Sequence, residues 1–162
     1  IDHAIALART EGITVATFGD MMRVPGSTSS LAAEKSAGRD VRIVYSPLDA
    51  LELATELPDR NVVFMGVGFE TTTPAIAACI LEAASRGIGN FSVFCVHKTT
   101  PPALRAIAND PETTIDGFIL PGHVCTITGL APFQFIAREF NIPGVVTGSQ
   151  SISSPASIAS SR

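Results

Sequence analysis

Charge is scarce in this 162-residue chain: 16% of its residues are charged, and the net charge of −4 includes no basic stripe or block of like charges. That argues against nucleic acid or an anionic membrane as the partner. Long apolar runs are missing too, since none approaches the ~20 residues a membrane helix needs. There are only three cysteines, Cys79, Cys95 and Cys125, widely spaced and with no C-x-x-C pair. A disulfide framework is therefore excluded, and a reducing compartment fits. No second His/Cys cluster of metal-ligand spacing joins them, so no self-contained zinc or iron–sulfur site is expected, and no metal-ligating residue is assigned. Cys79 and Cys95 read as buried small hydrophobes. Phosphate-binding G-x-x-x-x-G-K-[ST] and G-x-G-x-x-G strings and the G-x-S-x-G elbow are all absent. The string Gly66-Val67-Gly68-Phe69-Glu70 lacks the third glycine a dinucleotide loop requires.

Core material, in contrast, is plentiful at 46% hydrophobic. Short, nearly continuous apolar runs alternate with segments of helical length. The strands are expected at 13–18, 41–45, 62–67, 91–96, 117–120 and 144–146, and the helices at 2–9, 31–37, 48–57, 74–86, 103–108 and 132–140. Strand-then-helix alternation with unbroken apolar strands predicts an α/β fold built on mostly parallel sheet with flanking helices. Ser46-Pro47 and Thr100-Pro101-Pro102 open helices, and Gly87 closes one. A lobe boundary is expected near 87–90, giving a first lobe over 1–88 and a second over 89–148. The Ser-rich stretch 149–162 reads as a flexible tail. The chain opens on Ile1 with a helix already under way and without a signal-peptide pattern, so both ends are expected to be cut.

Four strands lead into loops dense in Gly, Pro and hydrogen-bonding side chains: 19–27, 68–74, 97–102 and 121–126. In open α/β sheets ligands bind outside the carboxyl ends of the strands, so these loops mark the expected site. Asp20, Arg23 and Ser27 share the first loop, where Arg23 either holds an anion or pairs with Asp20. Glu70 precedes Thr71, Thr72 and Thr73. It is either a general base or hydrogen-bond partner, or an acidic residue at the positive end of a helix that Thr72 or Thr73 caps. His123 and Cys125 stand two apart, a spacing that permits nucleophilic catalysis or metal ligation without requiring either, and Cys125 is open between an inert packed thiol and a reactive one. His97-Lys98 either adds positive charge or is solvated.

The strings Thr17-Phe-Gly-Asp-Met-Met-Arg-Val-Pro-Gly-Ser27, Val41-Arg-Ile-Val-Tyr-Ser-Pro-Leu-Asp-Ala50, Gly68-Phe-Glu-Thr-Thr72 and Pro121-Gly-His-Val124 resemble the HypD family of [NiFe]-hydrogenase maturation proteins, in that family's order. The resemblance runs from Ile1 to about Gly148. It implies a cytoplasmic scaffold that works with a HypC-type chaperone and a HypE-type cyanide donor. It also implies an iron carrying cyanide and carbon monoxide, a separate [4Fe–4S] region, and two α/β lobes around a cleft. The cleft-lining residues would be Asp20, Met21, Arg23, Glu70, Thr71, Thr72, His123 and Cys125. The family's Cys-Gly-Gly-His and Cys-Pro-Val-Cys segments and its cluster cysteines are absent from these residues, so the chain is expected to be an internal piece that does not hold iron by itself. A scaffold and ligand-transfer role is favoured over independent turnover. The rival readings are a Cys/His-dependent α/β enzyme using Cys125, His123 and Glu70, and a small-anion-binding module using Arg23.

Overall fold

A computed structural model of the chain describes residues 1–148 and the backbone of 156–158. The chain forms two compact units: 1–68 with 72–97, and 69–71 with 98 onward. The fold class is the α/β arrangement that the alternation of elements requires.

In the first unit α1 (Asp2–Arg9) leads into β1 (Ile13–Thr17), a 3₁₀ turn (Gly19–Arg23), α2 (Leu31–Ser36) and β2 (Val41–Ile43). After these come α3 (Pro47–Glu56), β3 (Asn61–Gly66), α4 (Thr73–Ser85) and β4 (Phe91–Cys95). The four strands form one all-parallel sheet in the order β2-β1-β3-β4. Successive side chains leave a strand on opposite faces, and the two faces are covered differently. Val15, Val41 and Met65 meet Ala4, Ile5 and Ala8 of α1 and Leu31 of α2. Ala16, Val62 and Phe64 meet Ala50 and Ala54 of α3 and Ile76 of α4. Burial on both faces is why these strands read as apolar runs rather than as alternating ones. The expected boundary near residue 88 falls inside this unit. β4 pairs with β3 from Val62↔Phe91 to Gly66↔Cys95, and the chain leaves the first unit only after residue 97.

The second unit contains α5 (Thr100–Asn109), β5 (Phe118–Pro121), α6 (Gly122–Thr128), a 3₁₀ turn (Ala131–Phe133), α7 (Phe135–Phe140), β6 (Gly144–Thr147) and β7 (Ala156–Ile158). β5 and β6 pair in parallel, and β7 joins β6 antiparallel. Leu120, Val124, Phe133, Phe135 and Ile136 form its core. Arg105 of α5 stacks 4.1 Å above the Phe135 ring and pairs with Glu139, tying α5 to α7. The Ser-rich stretch lies outside the described residues apart from the backbone of 156–158, which forms β7.

Local chemistry starts and stops these helices. The Ser46 hydroxyl accepts the Asp49 N–H at 3.1 Å, and Asp49 accepts the Ser46 N–H at 3.0 Å. With Pro47 at the first helical position, this reciprocal cap opens α3. Gly87, at φ 67°, closes α4 by letting the Ile88 N–H turn back to the Ala83 carbonyl at 2.9 Å. The buried carboxylate of Glu34 is fully engaged. Arg9 donates to it from Nη2 at 2.7 Å and Nε at 3.1 Å, and the Ser29 hydroxyl at 2.6 Å. These bonds lower its pKa from an ordinary 4.5 to about 2. A depressed carboxylate stabilises the fold fully above its unfolded value, and that contribution fades as pH falls through the folded value. The melting temperature of Glu34→Gln should therefore be lower than that of the wild type at neutral pH and depend less steeply on acid between 4.5 and about 2. Parallel melting curves for the two proteins across that window would contradict this.

Candidate functional site

Helices cover the first sheet on opposite faces, and the direction of connection reverses between β1 and β3. From β1 the chain moves to β2 at one edge, and from β3 to β4 at the other. Such a reversal leaves a crevice at the carboxyl ends of the two strands. The loop after β1 supplies Asp20, Met21 and Arg23, and Thr72 stands where α4 begins after β3. Their roles differ. Asp20 accepts the Met21 N–H at 2.9 Å, which orders the 3₁₀ turn. Met21 is half-buried against the core under α1 and α2, so it is a packing residue. Arg23 is exposed and forms no ion pair with Asp20 or with any other carboxylate among the described residues.

Ser27 is already occupied. Its N–H donates to Asp2 Oδ1 at 2.7 Å and its hydroxyl to Asp2 Oδ2 at 2.8 Å, which pins the loop across the start of α1. Gly26 makes this crossing possible, because a Cβ there would lie 2.6 Å from both Asp2 Oδ1 and Ile5 Cδ1. Asp2 thus fills, from inside the protein, the position an external anion would take at Ser27. Arg23 remains the basic group in this loop able to meet one.

Glu70 belongs to the second unit together with Thr71. Its two carboxylate oxygens accept the Thr100 N–H at 2.6 Å and the Thr100 hydroxyl at 2.7 Å, capping the first turn of α5 from outside the helix. Burial alone would raise the Glu70 pKa. The bonds from Thr100, together with one from its own backbone N–H, outweigh burial and hold it below the ordinary carboxylate value. The group is therefore a committed, ionised acceptor and not a base waiting for a proton. Thr100 was read in the sequence only as a helix opener; its pairing across 30 residues left no local signal.

The segment 121–126, expected to be a loop, is instead the start of α6. Gly122 permits this. A Cβ at Gly122 would collide with the Thr147 carbonyl, so α6 lies directly on the end of β6. Residues two apart on a helix point to different sides, and His123 is exposed while Cys125 is buried in the second core. Burial pushes the Cys125 thiol up from its ordinary value. The His123–Cys125 pair therefore does not converge, and the arrangement does not build a nucleophile–base couple. Cys79 is buried, as expected, but Cys95 is exposed, against expectation. It sits at the end of an edge strand that lacks a neighbour to cover it among the described residues.

Among the described residues, no group of three or more His, Cys, Asp or Glu side chains could hold a metal ion, and no helix is long and apolar enough to cross a membrane. Comparison with known proteins identifies the chain. A family model for HypD, described as the hydrogenase formation hypA family, matches residues 1–160. The chain belongs to the HypD family. It is 53% identical over 148 residues to the hydrogenase maturation factor HypD of Rhodobacter capsulatus, covering 91% of this chain and 39% of that protein. The HypD of Rhizobium leguminosarum bv. viciae is 52% identical over 155 residues, and that of Escherichia coli K12 48% over 148. In each pairing 91% of this chain is covered, and 40% of the relative. The chain thus spans about two fifths of the length of these HypD relatives.

Two substitutions test the packing of the site. Glu70→Ala should cost about 1–2 kcal/mol through loss of the α5 cap, measured by urea unfolding. Gly122→Ala should cost about 3 kcal/mol, since a Cβ with no space must push α6 off β6. Wild-type stability in Gly122→Ala would mean that the helix does not rest on the strand.

Proposed function

We propose that this chain is part of a hydrogenase-maturation scaffold which, with a HypC-type chaperone, holds an Fe(CN)₂CO unit during assembly of the [NiFe] active site. A HypE-type protein serves as cyanide donor, and the work takes place in the cytoplasm. The observation that carries this reading is the family match over residues 1–160, joined by relatives named as hydrogenase maturation factors at 48–53% identity.

The side chains suit such a cargo. An Fe(CN)₂CO unit is anionic, and its cyanide nitrogens accept hydrogen bonds. Arg23, exposed on the loop after β1 and without an ion pair among the described residues, offers a charge-assisted donor to it. Thr71, exposed at the turn into α4, offers a hydroxyl donor. His123, exposed on α6, can move protons as ligands are exchanged. Glu70 holds the start of α5 in place.

A [4Fe–4S] cluster does not fit the residues present. Such a cluster takes four thiolates, whereas this chain has three cysteines, two of them buried in separate cores. No step is assigned to a cluster or to a resident iron ligand here. The Cys/His-enzyme reading loses its support, because Cys125 is buried, His123 points elsewhere and Glu70 is already bonded. The anion-binding reading shares Arg23 with the scaffold reading and differs in its ligand.

In a full-length protein carrying these residues, Arg23→Ala and His123→Ala should each lower the hydrogenase activity matured in a deletion strain by about tenfold. That is the scale of one charge-assisted hydrogen bond, and protein levels should stay unchanged. Maturation at the wild-type level in both variants would remove the two residues from the site. If sulfate raised the melting temperature while maturation was unaffected, the anion-binding module would take its place.

A further inference from the structure

One pair of reactive side chains lies outside everything assigned above. Cys95 ends β4, and His97 follows two residues later, so their side chains leave the extended chain on the same side. The Cys95 sulfur lies 3.3 Å from His97 Nδ1. The His97 ring is seated by Gly66 of β3: a Cβ at Gly66 would come within 3.1 Å of His97 Cε1 and 3.0 Å of Val93 Cγ1. A side chain at Gly66 would press on the imidazole and on Val93. The far nitrogen, Nε2, is buried and without a hydrogen-bond partner among the described residues.

That buried nitrogen selects the tautomer. An N–H sealed from water with no acceptor forfeits a full hydrogen bond, whereas a bare nitrogen forfeits less. The proton therefore belongs on Nδ1, where it points at the Cys95 sulfur. Of the three cysteines, Cys95 alone combines exposure with a directed donor. Cys79 is buried with its sulfur 3.2 Å from the Pro47 carbonyl, and Cys125 is packed in the second core. Burial raises the pKa of both those thiols.

From this geometry we infer that Cys95 is a modification site, a surface thiol that takes up a low-molecular-weight disulfide as a mixed disulfide, with His97 as its positioning residue. In the step, Cys95 gives its proton to water and its sulfur attacks one sulfur of the small disulfide. The new S–S bond forms as the old one breaks, and the departing thiolate recovers a proton from water. Cys95 is oxidised and the small disulfide reduced, with no other oxidant needed. Throughout the attack the Nδ1–H stays directed at the sulfur.

The test uses the full chain, incubated with oxidised glutathione at neutral pH, quenched in acid and mapped by mass spectrometry. Cys95 should form the mixed disulfide at least about tenfold faster than Cys79 or Cys125. His97→Leu, which keeps bulk but removes the donor, should slow Cys95 by roughly tenfold. His97→Asn places an amide N–H close to where Nδ1 lies and should stay within about twofold of the wild type. Equal rates at the three cysteines would overturn the assignment of Cys95. A wild-type rate in His97→Leu, or an Asn variant as slow as the Leu variant, would overturn the role of His97. The selectivity measurement is made on the unaltered chain, so it stands whether or not a variant folds.

Discussion

Parallel strands need both faces of their sheet shielded from water, and the first unit is organised around meeting that need for β1 and β3. The two strands lie at the centre of the sheet. Each sends alternate side chains to opposite layers, Val15 and Met65 toward α1 and α2, Ala16 and Phe64 toward α3 and α4. Because the helices cross on different faces, the strand order has to reverse at the centre. That reversal opens the edge of the sheet where Arg23 and Thr72 emerge. The location of the candidate site is thus a by-product of shielding the core, with no residue selected locally to create it.

Polar groups drawn into such a structure must be satisfied from within, and several charged side chains are committed in this way. Asp40 accepts the Thr14 hydroxyl at 2.8 Å, and Arg60 reaches both Thr14 Oγ1 and the Ile13 carbonyl at 2.8 Å, closing the amino-terminal end of the sheet. Asn90 Nδ2 lies within 3.0 Å of the carbonyls of Ala54, Leu57 and Arg60, fastening the end of α3 to the start of β4. Together with Glu34 and Glu70, these groups are structural ties. Arg23, His123 and the Cys95–His97 pair are not among these ties.

Most of the fold could be read directly from the residues. Unbroken apolar runs revealed the strands, and Ser46-Pro47 and Gly87 revealed where helices begin and end, because in each case the signal and the structure occupy the same few residues. Misreadings arose where structure depends on something distant. Pro121-Gly122 looks like a loop, yet Gly122 is there because the Thr147 carbonyl leaves no room for a side chain. Phe91-Ser-Val-Phe-Cys-Val96 looks wholly buried, yet β4 is an edge strand and its Ser92 and Cys95 are exposed. Glu70 looked like a base or a neighbour of its own helix until Thr100 was brought to it. Composition and spacing cannot encode which side of a residue is already occupied.

The contact between Gly122 and Thr147 has a mechanical consequence. Tightly packed atoms have no slack to absorb a displacement, so a movement of either segment has to be passed to the other. His123 is the next residue after Gly122, and Thr147 is the last residue of β6. A shift of the Thr147 backbone would therefore be felt at the start of α6, next to His123. The foot of α6 is thus tied to backbone 25 residues further along the chain, and no side chain larger than glycine's can be inserted between them.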